Sequence, residues 1–338
     1  MIQSALAKLL DRNDLGREEA RAVMDEIMRG EATSAQIAGF LVALRAKGET
    51  VDEIAGCAEA MRDHVVPVRP ERQDLVDTAG TGGDGAGTLN ISTAAAIVAA
   101  AAGAAVAKHG NRSVSSASGS ADVMEALGFR LEIPPERIAR SIDLYGFGFM
   151  FAPMHHPAMR HAAPVRRELG TRTVFNLIGP LTNPAGARAQ VMGVPSPELA
   201  RTIADVLALL GTTRALVVHG AGGVDELSPA GPNLVVEVVG EVVTEHTLDP
   251  SLLGIERCQP ADLSGGEPFE NAGAIKRVLA GETGAHHDAV VLNAAAALIV
   301  GGVATDFPEG VALARGVLES GDAVGTLAQA AAFSREGE

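Results

Sequence analysis

The residues of this chain best able to do chemistry lie between Asp77 and Asp122. A short apolar run, Leu75-Val76, leads into a loop carrying Gly80, Gly82, Gly83, Gly85 and Gly87, with Thr81, Asp84 and Thr88 between them. Glycines let backbone N–H groups approach an anion closely. The start of an alanine-rich helix near Asn90–Thr93 adds oriented donors and the positive end of a helix dipole. A second apolar run ends Val106-Ala107-Lys108-His109-Gly110, followed by Asn111, Arg112 and the hydroxyls of Ser115, Ser116, Ser118 and Ser120. Backbone donors, hydroxyls and cations thus recur on two successive loops, a composition suited to holding phosphate twice over.

Gly80, Gly82 and Gly85 formally match the G-x-G-x-x-G of dinucleotide sites. Such a site wants an acid at the end of the second strand, for the ribose hydroxyls; here that place holds Lys108. No Gly-Lys-Ser/Thr closes the loop as a Walker A motif would. Asp84 would repel a bare pyrophosphate unless a metal or a hydroxyl stood between. A second cluster, Asp225-Glu226, follows the apolar run Leu216–Val218 and a glycine-rich turn. Two carboxylates beyond a strand suit Mg²⁺, which takes a few carboxylates plus water and phosphate oxygens. A third cluster, Met154 to Arg172, is dense in His and Arg. Adjacent His155 and His156 lack the helical spacing of a zinc pair, so ring packing and hydrogen bonding are expected of them. Arg166 or Arg167 could clamp a carboxylate in bidentate fashion, whereas Arg160 and Arg172 read as surface ion pairs.

The elements that must position these groups follow from periodicity and punctuation. Residues 1–65 read as helices only: Ile37, Phe40, Leu41 and Leu44 fall at helical spacing, Thr33–Gln36 and Thr50–Glu53 fit capping boxes, and Gly30 and Gly48 stand where helices stop. Val66 to Arg72, with two prolines, reads as a linker, and a domain boundary is expected there. From residue 73 to 338 strands alternate with helices. Strands are expected at Leu75–Thr78, Ala104–Lys108, Ala215–His219 and Leu234–Val239, the last leading through Gly240-Glu241 into a hairpin on an otherwise parallel sheet. Helices are expected at Ile91–Ala102, Ala121–Leu127, Pro135–Leu144, Glu198–Leu210 and Ala289–Val300. Ligands of such sheets bind beyond the carboxyl ends of the strands.

Composition limits the partners. The 338 residues carry a formal charge of −15, with one Tyr and no Trp. An acidic chain poor in stacking side chains is ill suited to nucleic acid or an anionic membrane, so its local basic spots read as small-anion sites. The two cysteines form no C-x-x-C pair, and the opening residues lack a signal peptide's apolar core. A soluble cytoplasmic protein is expected.

Taken together, Gly80-Thr81-Gly82-Gly83-Asp84-Gly85, Asn90-Ile91-Ser92-Thr93, Lys108-His109-Gly110-Asn111-Arg112, Gly119-Ser120-Ala121-Asp122, His155-His156-Pro157-Ala158-Met159, Asn176 to Pro184 and Asp225-Glu226-Leu227-Ser228 resemble the motifs of the anthranilate phosphoribosyltransferases, over nearly the whole chain. Ala221 and Asn233 depart from residues common in that family. The resemblance implies an α/β protein of the nucleoside phosphorylase/phosphoribosyltransferase class: a small all-helical N-terminal domain, joined by part of roughly 168–190, and a large α/β domain with a mostly parallel central sheet. It implies transfer of the phosphoribosyl group of 5-phosphoribosyl 1-pyrophosphate to the amine of anthranilate, in tryptophan biosynthesis, by a homodimer. Donor binding would fall to Gly80, Gly83, Asp84, Thr88, Asn90, Ile91, Ser92, Thr93, Lys108, Gly110, Asn111, Arg112, Ser113, Ser115, Ser116 and Ser120. Gly80, His109, Asn111, Arg166 and Pro180 would meet anthranilate. Two Mg²⁺ ions would be held, one by Ser92 and Glu226, the other by Asp225 and Glu226, and no residue is assigned as a general base. Two other readings share the fold: a nucleoside phosphorylase, whose phosphate and base motifs differ from Lys108–Ser116, and a non-catalytic nucleic-acid-binding relative, against which stand the charge and the intact acid pair.

Overall fold

The computed structural model of the chain describes residues 1–113 and 117–336. Four helices open it: α1 (Ile2–Leu10), α2 (Arg17–Met28), α3 (Ser34–Lys47) and α4 (Val51–Asp63). Both expected capping boxes form. Thr33 N–H donates to Gln36 Oε1 at 2.8 Å and Thr50 N–H to Glu53 Oε2 at 2.8 Å. Gly56 lets α4 lie directly on α2, because a Cβ there would stand 2.1 Å from the Arg17 carbonyl oxygen. Residues 64–74 form no helix or strand, as the prolines dictate.

The α/β part comprises β1 (Leu75–Asp77), α5 (Ile91–Ala101), β2 (Ala105–Gly110), α6 (Ser120–Ala126), α7 (Pro135–Tyr145), β3 (Phe147–Phe151), α8 (Ala152–His155), α9 (Ala163–Leu169), α10 (Val174–Ile178), β4 (Ala189–Gly193), α11 (Pro197–Leu209), β5 (Arg214–His219), β6 (Asn233–Val239), β7 (Val242–Leu248), α12 (Pro268–Leu279), α13 (Ala285–Val300), α14 (Phe307–Ser320) and α15 (Asp322–Arg335). The sheet order is β3-β2-β1-β4-β5-β6-β7, parallel from β3 through β5 and antiparallel for β6 and β7. The hairpin on a parallel sheet is therefore present. Two strands, β3 and β4, go beyond the sequence expectations. Both are buried on both faces, so neither shows an alternating pattern, and β3 follows α7 after one residue.

Period-two alternation divides the core. Val76, Val106, Val191, Leu216 and Val218 face a cluster with α5 and α13, while Met192, Ala215, Val217, Val236 and Val238 face a second cluster that runs into α1–α4. That second cluster also takes in Val165 of α9 and Val174, Phe175, Leu177 and Ile178 of α10. α13 is buried around nearly its whole circumference, which is why its sequence is apolar all round rather than amphipathic. The chain leaves β1 toward β2 on one side and returns to β4 on the other. β1 and β4 therefore flank the topological switch point where open α/β sheets bind ligands.

Candidate active site

Every motif with phosphate chemistry reaches this switch point. The glycine loop leaves β1 and is tied to the end of β4, where Thr81 N–H donates to the Gly193 carbonyl at 2.9 Å. Gly82, Gly83, Gly85 and Gly87 have φ between +62° and +82°, a region costly for other residues. The far side of the loop is braced by residues 263–265: Leu89 N–H donates to Leu263 O at 2.9 Å and Gly265 N–H to Gly87 O at 2.8 Å.

The acid pair lies across the ends of β4 and β5, and two further glycines permit it. A Cβ on Gly193 would stand 1.4 Å from the Asp225 carbonyl oxygen, and one on Gly220 2.0 Å from that of Glu226. Glu226 accepts from Ser92 N–H at the start of α5 (3.1 Å) and from Thr88 Oγ1 (3.2 Å). Asp84 Oδ2 accepts from Asp225 N–H at 3.2 Å. Burial and then repulsion by Asp84 push Asp225 well above the ordinary carboxylate range, and burial and then Asp225 do the same to Glu226. Among the described residues no cation bonds to either side chain, and no group of ligand-type side chains encircles an ion by itself. Desolvated carboxylates facing one another beside a helix N-terminus fit a divalent cation whose remaining ligands are water and phosphate oxygens.

Asn293 of α13, a residue the sequence reading passed over, holds this motif in place. Its Oδ1 accepts from Leu227 N–H (3.0 Å), and its Nδ2 donates to Leu227 O (2.8 Å) and Ala289 O (2.9 Å). It lines the cleft with Thr78, Gly80, Ser92, Gly193, Asp225 and Glu226. The available signal was a lone amide within Ala289–Val300. Asn293→Leu strands both backbone groups of Leu227, and a loss of about 3 kcal/mol is expected from buried hydrogen bonds of this kind. Urea unfolding measures it, and a loss under about 1 kcal/mol would deny the clamp. Asn233 clamps the next turn, accepting from Ser228 N–H at 2.7 Å and donating to Ser228 O at 3.0 Å.

Lys108 is fully buried, its Nζ donating to Thr78 Oγ1 (2.9 Å) and Thr78 O (3.2 Å), and burial lowers its pKa to about 8. Asp77 beside it is raised by burial to about 6, although it accepts from His109 N–H (3.1 Å) and Asn183 Nδ2 (2.7 Å). Ile91 and Thr93 turn their side chains into the core, and Thr93 Oγ1 has no partner among the described residues. Asn90 accepts from Ser118 Oγ (3.1 Å) and Asn271 Nδ2 (3.0 Å) and donates to Ser118 O (3.1 Å), joining the start of α5 to the loop before α6. Gly110 is needed where it stands, since a Cβ would lie 2.3 Å from Ser120 Oγ. Asn111 Oδ1 accepts from Arg112 N–H at 2.8 Å. Arg112 itself is committed to Asp122 and Glu125, and Asp122 also gathers the N–H groups of Ser113 and Gly119. Ser115 and Ser116 lie outside the described residues.

His109 and His156 pack with tilted rings, centroids 5.0 Å apart at 46°, and share an Nε2···Nε2 contact of 3.2 Å. His155 turns away to the Val66 carbonyl at 3.0 Å. Ring packing is thus what the histidines do, and burial holds both His109 and His156 uncharged near neutrality. Pro180 is fixed by Gln190 of β4, whose Nε2 donates to Pro180 O (2.9 Å) and to Ala79 O (3.2 Å) at the root of the glycine loop. Arg166 lies 5.1 Å from the Phe175 ring centroid, its pKa lowered by burial, with no acceptor for its guanidinium among the described residues. Arg167 is exposed. The expectation for Arg172 is corrected: it makes no surface ion pair but bonds the glycine loop, donating to Gly82 O at 2.6 Å. Arg160, also read as an ion pair, instead donates to His161 at 3.1 Å.

The raised acid pair sets a pH dependence. The metal-free fold binds more protons than the unfolded chain wherever Asp225 and Glu226 keep protons that free carboxyls, with pKa about 4, have lost. The stability this pair contributes therefore falls as pH rises through the window up to about 8, the value to which Glu226 is raised. Urea midpoints in EDTA at about pH 6.5 and 7.5 should fall further, or rise less, for wild type than for Asp225→Asn with Glu226→Gln, a difference in which the opposing contribution of the buried, uncharged histidines cancels. Excess Mg²⁺ should remove the difference, and equal pH slopes for the two proteins in EDTA would refute the assignment.

Comparison with known proteins agrees with this geometry. A model described as glycosyl transferase family, helical bundle domain, matches residues 3–65, and one described as glycosyl transferase family, a/b domain, matches 72–324. An anthranilate phosphoribosyltransferase of Pelotomaculum thermopropionicum is 52% identical over 334 residues, 99% of this chain and 97% of its own. The crystal structure of the Thermus thermophilus enzyme of that name superposes with a TM-score of 0.93 at 52% identity, covering 98% of this chain and 99% of that one. The Saccharomyces cerevisiae enzyme in complex with PRPP and Mg superposes at 0.91 with 28% identity, covering 98% and 97%. A relative 52% identical over 99% of this chain, together with the family models over both domains, places it in the anthranilate phosphoribosyltransferase family.

Proposed function

We propose that this chain transfers the phosphoribosyl group of phosphoribosyl pyrophosphate (PRPP) to the amine of anthranilate, giving N-(5-phosphoribosyl)anthranilate and pyrophosphate, a step of tryptophan biosynthesis. The observation that carries the reading is the convergence of the glycine loop with Asp84, Asp225 and Glu226 at the switch point. That arrangement suits a pyrophosphate bound through a cation. Ser92, Asp225 and Glu226 would hold Mg²⁺, two ions in all, and the metal supplies charge neutralisation for the departing pyrophosphate.

The chain's own groups do the rest. Backbone N–H groups of the glycine loop and the start of α5 orient the pyrophosphate. Asn90 and the Asn111–Ser120 segment hold the sugar phosphate end, and Lys108 contributes positive charge from beneath the sheet edge. As the C1–oxygen bond to pyrophosphate breaks, the sugar carbon becomes electron-poor and the amine lone pair attacks it. The aromatic amine is neutral near pH 7, so positioning matters more than proton abstraction; buried, uncharged His109 and Pro180 shape its path. Arg166 would read the carboxylate, with Asn111 and Gly80 beside it.

Family resemblance further supports a homodimer in the cytoplasm, and no helix among the described residues is long and apolar enough to cross a membrane. The helical domain would consist of residues 1–65 joined by part of roughly 168–190, of which Val174, Phe175, Leu177 and Ile178 of α10 share its apolar cluster. The test is the loss of anthranilate fluorescence on mixing protein, PRPP and Mg²⁺. A loss that needs the donor and stops in EDTA supports the reading; no loss from folded protein defeats it.

A further inference from the structure

Arg172 stands between α9 and α10, half-buried, with its guanidinium on the glycine loop. Nη1 donates to the Gly82 carbonyl at 2.6 Å, and Nη2 reaches the Thr81 carbonyl at 3.5 Å. A Cβ on Gly83 would lie 1.3 Å from Nη1. Gly83 is favoured by its φ of +82°, and a side chain there would have to push the guanidinium off the loop. Burial lowers the guanidinium's pKa, with the charge of Asp225 and Asp84 acting to raise it and that of Arg45 of α3 to lower it.

Its mount is firm. Gly170 ends α9 at φ +57°, and Thr173 N–H donates to Asn176 Oδ1 at 3.0 Å as α10 begins. Val174 and Phe175 are then buried in the cluster shared with α1–α4. The peptide unit is planar and trans, so a carbonyl and the next N–H point in opposite directions. Holding the carbonyls of Thr81 and Gly82 toward Arg172 turns the N–H groups of Gly82 and Gly83 the other way. The Gly82 amide is near enough to the Asp225 carboxylate to favour its ionised form, and a Cβ on Gly80 of the same loop would stand 3.2 Å from Asp225 Oδ2.

We propose that Arg172 is a positioning residue: anchored in the core of the helical domain, it pins the loop carbonyls so that the Gly82 and Gly83 amides face the acid pair and the donor's pyrophosphate. Donor-site shape is thereby tied to the packing of α9 and α10, the segment that also carries Arg166. The pyrophosphate half of this inference rests on the function proposed above; the loop-pinning half does not.

The experiment compares wild type with Arg172→Ala, Arg172→Lys and Gly83→Ala. Amide hydrogen exchange of the 80–87 segment is read without substrates, and the KM for PRPP and for anthranilate with Mg²⁺. Arg172→Ala should speed exchange of the loop ~10-fold or more and raise the KM for PRPP by a similar factor, as for loss of a charge-assisted hydrogen bond. The KM for anthranilate should stay within about twofold. Lysine keeps the charge but not the fork, and should restore less than about half of the loss on a logarithmic scale. Gly83→Ala strains the loop through its positive φ as well as displacing the guanidinium and serves as the loop-damage control; should Arg172→Ala fail to fold, Arg172→Lys carries the comparison, with a smaller loosening and PRPP effect in the same direction and the KM for anthranilate still within about twofold. Unchanged loop exchange overturns the proposal whatever the kinetics, and so does an equal rise in both KM values. If wild type proves inactive on these substrates while Arg172→Ala still loosens the loop, the pinning stands and the substrate reading fails.

Discussion

Asp225→Asn combined with Glu226→Gln is expected to cut turnover by ~10³-fold or more, since each preorganised electrostatic contact in such a site is worth on the order of 10² to 10³. The same double variant should unfold in EDTA at the wild-type temperature or above it. Both effects have one cause. The carboxylates are held away from water, facing Asp84 and each other, with their pKa values driven upward. Ionising these buried carboxyls without a metal costs the fold, and the neutral isosteres carry no such cost. Local bonding survives: a Gln at 226 can still accept from Ser92 N–H, and the Thr88 hydroxyl can turn to accept instead of donate. What disappears is the reason to bind a cation. Wild type should therefore gain thermal stability with Mg²⁺, by the linkage of a ligand that binds only the folded state, and the variant should not. Fluorescence turnover and calorimetry with and without Mg²⁺ decide the matter. Activity within about tenfold of wild type, or an undiminished Mg²⁺ shift, would show that the ion binds elsewhere.

This site was legible where its chemistry is contiguous. The glycine loop, the Lys108–Arg112 run and Asp225-Glu226 each declare a function through several adjacent residues, and the strand before each predicts that all reach one sheet edge. The groups that aim them are single residues far away in the chain. Asn293 holds residue 227 across 66 positions, Asn271 meets Asn90 across 181, and Gly193 and Gly220 work by lacking a Cβ. Nothing local marks these, because an amide in a helix or a glycine at a strand end has many ordinary uses. The same limit applies to charge. Arg112 looks free in sequence, yet α6 supplies Asp122 and Glu125 to it one and two helical turns beyond the loop. Arg172 looks like a surface residue until the fold brings residue 82 beside it. The hairpin was legible through Gly240-Glu241 between two β-branched runs, whereas β3 and β4 were hidden by burial of both faces.

Arg166 offers the opposite combination from a structural arginine, and its variant separates function from stability. Its guanidinium is desolvated, stacked near Phe175, and without an anion among the described residues. A buried cation lacking a partner weakens the fold, and the ring face returns only about 0.5–2 kcal/mol. Arg166→Ala should therefore leave the melting temperature close to wild type. On the function proposed above, the missing partner would be the carboxylate of the acceptor, which matches the guanidinium fork in bidentate fashion. Truncating one member of a buried, hydrogen-bonded charge pair costs about 2–5 kcal/mol, so the KM for anthranilate should rise by about 30-fold to over 10³-fold while that for PRPP moves by less than about threefold. The discrimination between anthranilate and aniline should collapse together with it, because only the carboxylate distinguishes them and a site built to bind a polar group rejects the analogue that lacks it. Steady-state kinetics with both amines, alongside a thermal melt, read all three quantities. Matching rises in both KM values, or a melt lowered by many degrees, would return Arg166 to an ordinary structural role and leave the carboxylate of the acceptor without a reader in this cleft.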